Sequence, residues 1–146
     1  MQHIFRPEVC EQLQVRIRHL RPETPVRWGR SNAHQIVCHL SDQVRLALGE
    51  IPGAPASGAL SRWPLNKLLI HVLPWPKGAP TPKEAWSSKP GDWQADVDTL
   101  SRLLEQLAQA KADAWPAHPL FGKMSGRDWA RLTYRHFDHH LRQFGV

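Results

Sequence analysis

Apolar residues recur at helical spacing in four stretches of the chain, and proline or glycine closes the first two. The first runs from about Pro7, which suits the first helical position, to Leu20, with Cys10, Leu13, Ile17 and Leu20 on one stripe. Pro22 and Pro25 end it. The second opens after Ser31 or Asn32, both good N-caps, and carries Ile36, Val37, Leu40, Val44, Ala47 and Leu48 as far as Gly49. The third begins near Asp92 and holds the cleanest heptad, Trp93, Val97, Leu100, Leu104 and Leu107, opposite a polar face. The fourth is announced by Ser125-Gly126-Arg127-Asp128, a capping-box-like start with Asp in place of Glu, and runs to the C-terminus.

Between the second and third patterns lies a stretch with eight of the 13 prolines: Pro52, Pro55, Pro64, Pro74, Pro76, Pro80, Pro82 and Pro90. It also contains Leu65, Leu68, Leu69, Ile70 and Val72, which make a short apolar helix, and Trp63, Trp75 and Trp86, which read as anchors. The stretch is therefore a packed crossover, long enough to let the second and third helices lie parallel. There is no strand alternation and no internal repeat, so the class is all-α. Four amphipathic patterns and one long crossover imply a four-helix bundle occupying residues 1–146 as a single domain. A chain of 146 residues buries about two thirds of its unfolded surface, so its core needs no metal staple.

The fourth helix carries the candidate chemistry. At about 100° per residue, Asp128, Arg131, Arg135, Asp138 and Arg142 fall on one arc, the expected wet face. The opposite arc holds Trp129, Ala130, Thr133, Tyr134, Phe137, Leu141 and Phe144, and His136 and His140 lie within it. Two imidazoles one turn apart and facing inward must satisfy their ring nitrogens or lose charge, and ligation of a metal does both. His139 sits at the edge of the charged arc and reads as a surface or supporting residue. A third ligand is expected from a facing helix. His39, on the flank of the second helix's apolar arc, is the best candidate; His34 and Cys38 stand near it, with Cys38 directed toward the polar arc. His3, His19, His71 and His118 fall at termini, connectors or a helix lacking partners, and read as structural or surface residues.

Charge and cysteine content narrow the setting. The net charge is +6, but the basic residues are scattered, which favours attraction of small anions over nucleic-acid grooves, and no nucleic-acid motif is present. Cys10 and Cys38 form no paired framework, no signal segment opens the chain and no apolar run approaches the roughly 18 residues of a membrane span. A soluble cytoplasmic protein with reduced thiols is expected, binding neither membrane nor specific nucleic acid.

With these residues in hand, the chain resembles the DinB-like superfamily, also called YfiT-like metal-dependent hydrolases. That family is a four-helix bundle with a His on the second helix and a His-x-x-x-His-x-x-Gln segment on the last. Here His39 matches the first, and His136, His140 and Gln143 match the segment. Within the superfamily, the runs Trp75-Pro76-Lys77-Gly78-Ala79-Pro80-Thr81-Pro82, His118-Pro119-Leu120-Phe121-Gly122 and His139-His140-Leu141-Arg142-Gln143-Phe144-Gly145 are similar to a branch labelled only as a domain of unknown function. The resemblance implies a three-imidazole site, His39, His136 and His140, binding zinc or nickel. It also implies a small-molecule substrate or a thiol cofactor, with chemistry that is either hydrolysis or thiol transfer. Gln143 and Trp129 would stand near the mouth, with Arg135 and Arg142 drawing anions. Neither Asp42 nor Asp138 is placed to act as a general base for hydrolysis. A non-catalytic bundle that binds metal, or pairs as a homodimer through an exposed helix pair, is the alternative. Protonation of the imidazoles is expected to abolish metal binding as pH falls through about 6.

Overall fold

In a computed structural model that describes residues 1–53, 58–75 and 86–146, the chain is all-helical. Five helices follow in order: α1 (Pro7–His19), α2 (Ala33–Leu48), α3 (Leu65–His71), α4 (Trp93–Gln109) and α5 (Gly126–Gln143), with a 3-10 turn at Ala59–Ser61. Among the described residues there is no strand, only an isolated bridge between His118 and Gly122. No helix among them is long and apolar enough to cross a membrane. Pro55, Pro76, Pro80 and Pro82, with the run Pro76 to Pro82, lie outside the described residues.

Local chemistry sets the helix ends. Asn32 caps α2 by accepting from the Gln35 amide, and the Gln35 side chain returns the bond to the Asn32 amide. Gly49 closes α2 at φ +76°, a left-handed turn that glycine adopts without a Cβ clash. Asp92 caps α4, and Ser125 with Asp128 forms the capping box of α5.

The core is where the stripes meet. Leu13 and Ile17 of α1, Ile36, Leu40 and Val44 of α2, Leu100, Leu104 and Leu107 of α4, and Phe137 and Leu141 of α5 are all buried. Both α1 and α2 pack on α4 and α5, while α3 packs on α5. The first turns of α2 and α4 meet through His34 and Asp96, an arrangement the long crossover permits. Of the crossover tryptophans, Trp75 is tied down by its indole donating to the Leu69 carbonyl, whereas Trp63 is 80% exposed. Val72 lies beyond the end of α3 and is exposed.

Two faces that read as polar prove to be covered. On α5 the supposed wet face lies under α3: Asp128 is buried and accepts from Lys67 at 2.5 Å and pairs with His71 at 2.8 Å. His71 therefore has a partner. Arg135 donates to the Leu69 and Ile70 carbonyls and Arg131 to the His71 and Gln2 carbonyls, so two guanidiniums cap the free end of α3. Of the five residues on that arc, Arg142 stays largely in water, its side chain 70% exposed. On α2, Cys38, Ser41 and Asp42 are all buried, because α4 and Ser88 cover the side opposite α5. Wheel position cannot register a neighbour supplied by a distant segment.

Asp128 joins two functions, capping α5 and holding α3. Asp128→Ala is expected to cost about 2–4 kcal/mol in chemical denaturation, since it leaves Lys67 and His71 without their buried acceptor. Lys67→Ala should cost under about 1 kcal/mol, because the ammonium is over a third exposed. Equal costs for the two would show that α3 is held by packing alone.

Candidate metal centre

His39 is in the middle of α2 and His136 and His140 are one turn apart on α5, so packing of α2 on α5 decides whether they meet. They do. His136 Nε2 lies 2.9 Å from His39 Nε2 and 3.0 Å from His140 Nε2. All three ligand atoms fall within 4.8 Å of one another. Bonds of about 2.0–2.1 Å in a tetrahedral zinc site separate ligand nitrogens by about 3.4 Å, so adjustments of about half an ångström would admit an ion. A turn away on both helices, the buried Gln43 amide donates to Thr133 Oγ1 at 3.1 Å and clasps α2 to α5.

The hydrogen bonds around His140 assign its tautomer. Gln143 Nε2 donates to the Trp28 carbonyl at 2.8 Å, which turns Oε1 toward His140 Nδ1, also at 2.8 Å. Oε1 can only accept, so Nδ1 carries the proton and a neutral His140 directs the lone pair of Nε2 at the cluster. Converging ring nitrogens of this kind suit a cation better than they suit each other. Close approach of the Trp28 carbonyl depends on Gly29, whose φ is +91° and whose missing Cβ would collide with the Gln143 amide.

Electrostatics keeps His136 and His140 neutral. Burial, then the neighbouring His140 and His39, pushes His136 far below its ordinary value. Burial and His39 bring His140 down to about 3, against a smaller upward pull from Gln143. Neutral imidazole is the ligand form. Around the trio stand aromatic rings: Trp86 stacks on His39 with centroids 4.3 Å apart and planes 18° from parallel, and Trp75 lies 6.0 Å from His136. Trp86 is brought in by the crossover from far along the chain, and no spacing signal could have assigned it this role.

Other sequence-derived candidates separate clearly. His139 lies outside the trio, edge-on to Trp28 and His140. Trp129 is not at a mouth; it is fully buried and donates to the Pro116 carbonyl. Gln143 is a support for His140, not a mouth residue. His118 is structural, its Nδ1 accepting from the Leu120 and Phe121 amides, and burial lowers its pKa to about 4. Arg135 is tied to α3 and Trp75 and so turned away from solvent anions, whereas Arg142 pairs with Asp138 while its side chain stays largely in water. Asp42 holds Ser88 and Arg45, and Asp138 holds Arg16 and Arg142. Cys38 and His34 do not join the trio; they face α4 beside Asp96. Burial and then Asp96 and Asp42 push the Cys38 thiol up to about 11, so it is not a thiolate nucleophile at neutral pH.

Gln143→Ala removes the hydrogen bond that orients His140, and metal affinity is expected to fall about 10–100-fold with the fold retained, read by calorimetric titration. Unchanged affinity would show that packing alone sets the ring. The pH window follows from sign: the unfolded imidazoles take up protons below 6.5, while folded His140 does so only near 3. This contribution to stability is complete above about 6.5 and is lost as pH falls toward about 3. The melting temperature of metal-free protein should therefore drop across that window, less steeply in His140→Ala. Metal stabilisation should persist below pH 6, lower than imidazoles in water would allow.

No curated protein and no solved structure matches the chain. A family model described as a protein of unknown function, DUF1569, matches residues 9–145, a span that includes His39, His136, His140 and Gln143. The three imidazoles and their glutamine thus stand within a recognised domain, and the chain belongs to the DUF1569 family.

Proposed function

We propose that this chain is a divalent-metal protein of the DinB-like superfamily. In this reading α1, α2, α4 and α5 form its four-helix bundle, and His39, His136 and His140 hold zinc or nickel. The convergence of three imidazole nitrogens, with His136 and His140 held neutral and His140 oriented by Gln143, carries the reading. A bound divalent ion supplies Lewis acidity to a water or a thiol. The chain's own residues supply the rest: Gln143 fixes the proton on Nδ1 of His140, and Trp86 covers one face of His39.

The substrate in this proposal is a small molecule, and the reaction is thiol transfer or hydrolysis. Engagement of Asp42 and Asp138 elsewhere removes two carboxylates that hydrolysis would want as general base, which favours thiol transfer. A second reading, a metal-binding domain without catalysis, is supported by the engagement of Arg135 with α3, which takes away one of the two positive charges expected to attract an anionic thiol or substrate.

Elemental analysis of tag-free protein, prepared without nickel resin, is expected to find zinc or nickel. Readdition of that metal to stripped protein at about 100 times Kd should stabilise it by about 2.7 kcal/mol, a rise of roughly 5–10 °C in Tm. His136→Ala should remove most of that rise. A rise unchanged in both His136→Ala and His140→Ala would place the ion elsewhere. For the reaction, low-molecular-weight thiols should add a sulfur-to-cobalt band to cobalt-loaded protein that His140→Ala erases. Ester or amide turnover without thiol would favour hydrolysis, and neither signal would favour the non-catalytic domain.

A further inference from the structure

Cys38 is next to His39 in sequence but projects from a neighbouring stripe of α2, toward α4. One turn before it stands His34, and Asp96 meets both from the first turn of α4. His34 Nε2 lies 2.7 Å from Asp96 Oδ2, and Cys38 Sγ lies 3.9 Å from the same oxygen. The three ligand atoms are all within 4.8 Å of one another. Trp93 holds the His34 ring edge-on at 5.3 Å, and the Gly91 amide donates to Asp96 Oδ2 at 2.9 Å, so two of the three groups are positioned by further contacts.

An imidazole and a carboxylate alone would be explained as a link between α2 and α4. The thiol is not needed for that link, and a small aliphatic side chain would pack there without bringing sulfur toward a carboxylate oxygen. A set of nitrogen, sulfur and oxygen donors is the mixture that zinc-class ions take, whereas magnesium and calcium prefer oxygen alone. Tetrahedral zinc with these donors spaces them by about 3.4–3.7 Å, which falls between the two separations given above. Cys38 and Asp96 also line a cavity of about 230 Å³ shared with Ser41, Arg45, Ser88, Lys89 and Thr99, which leaves room for a fourth ligand. Arg45 and Lys89 on that wall suit an anionic one.

We propose that His34, Cys38 and Asp96 form a second divalent-cation site of the zinc class, separate from the three imidazoles and open to this cavity at its fourth position. On binding, the Cys38 sulfur exchanges its proton, released to solvent, for a bond to the ion. The site would tie the first half of α2 to the start of α4 by a ligated ion.

Cobalt(II) titration of the full, metal-stripped chain without added thiol tests this, because the three-imidazole site contains no sulfur. The expected result is a thiolate-to-cobalt charge-transfer band that survives His136→Ala and Cys10→Ser and disappears in Cys38→Ser. Zinc should bind at two equivalents per chain, falling to one in Cys38→Ser. No thiolate band in the wild type, or a band that survives Cys38→Ser, overturns the second site. One zinc equivalent that vanishes with His136→Ala overturns it too, and leaves the first site standing. If Cys38→Ser does not fold, the wild-type chain decides: zinc should slow alkylation of Cys38, mapped by peptide mass spectrometry, while leaving Cys10 unchanged. Equal Cys38 labelling with and without zinc would count against the site.

Discussion

Three imidazole nitrogens meet in the protein interior, and keeping His136 and His140 uncharged there is the constraint on which their surroundings turn. Burial lowers the proton affinity of His136 and His140, and each neutral ring then needs a donor or an acceptor for its nitrogens. Gln143 meets this need at His140, and the Trp28 carbonyl meets it at Gln143. The chain of contacts ends at Gly29, where only a residue without a Cβ lets the loop come close enough. The glutamine of the last helix therefore acts at one remove from the ligand atoms.

Helix α2 is the element on which this depends most. It is buried on nearly every side, with His39 toward α5 and His34 and Cys38 toward α4. A helix enclosed in this way must satisfy polar side chains with protein partners, which explains the bonds of Asp42 with Ser88 and of Gln43 with Thr133. These same bonds fix the rotation of α2, and rotation decides which stripe meets which helix. A shift of one residue would turn His39 by about 100° and separate it from His136.

The basic character of the chain takes on a different meaning in the folded protein. Arg131 and Arg135 satisfy carbonyls at the end of α3, Lys67 joins the Asp128 cluster, and Arg16 pairs with Asp138. Much of the positive charge of the last helix therefore secures the crossover helix against α5. This structural use of arginine weakens the link between a high pI and an anionic ligand, because a guanidinium that donates to backbone carbonyls is oriented away from solvent partners.

What the sequence determined by itself was local. Ser125 and Asp128, Asn32 and Gly49, and the stripes Leu13–Ile17 and Leu100–Leu104–Leu107 set where helices start, stop and turn their apolar faces, since caps and periodicity act within a few residues. The His136/His140 pair was equally legible, because one helical turn fixes its geometry, and the family pattern pointed to His39 and Gln143. The tertiary structure alone decided the rest. Trp86 over His39, Asp96 beside Cys38, and α3 over Asp128 and Arg135 are contacts between distant segments, and they reversed the polar reading of two helix faces. A helical wheel assigns a polar residue to water by default; only packing shows which of them found a partner inside.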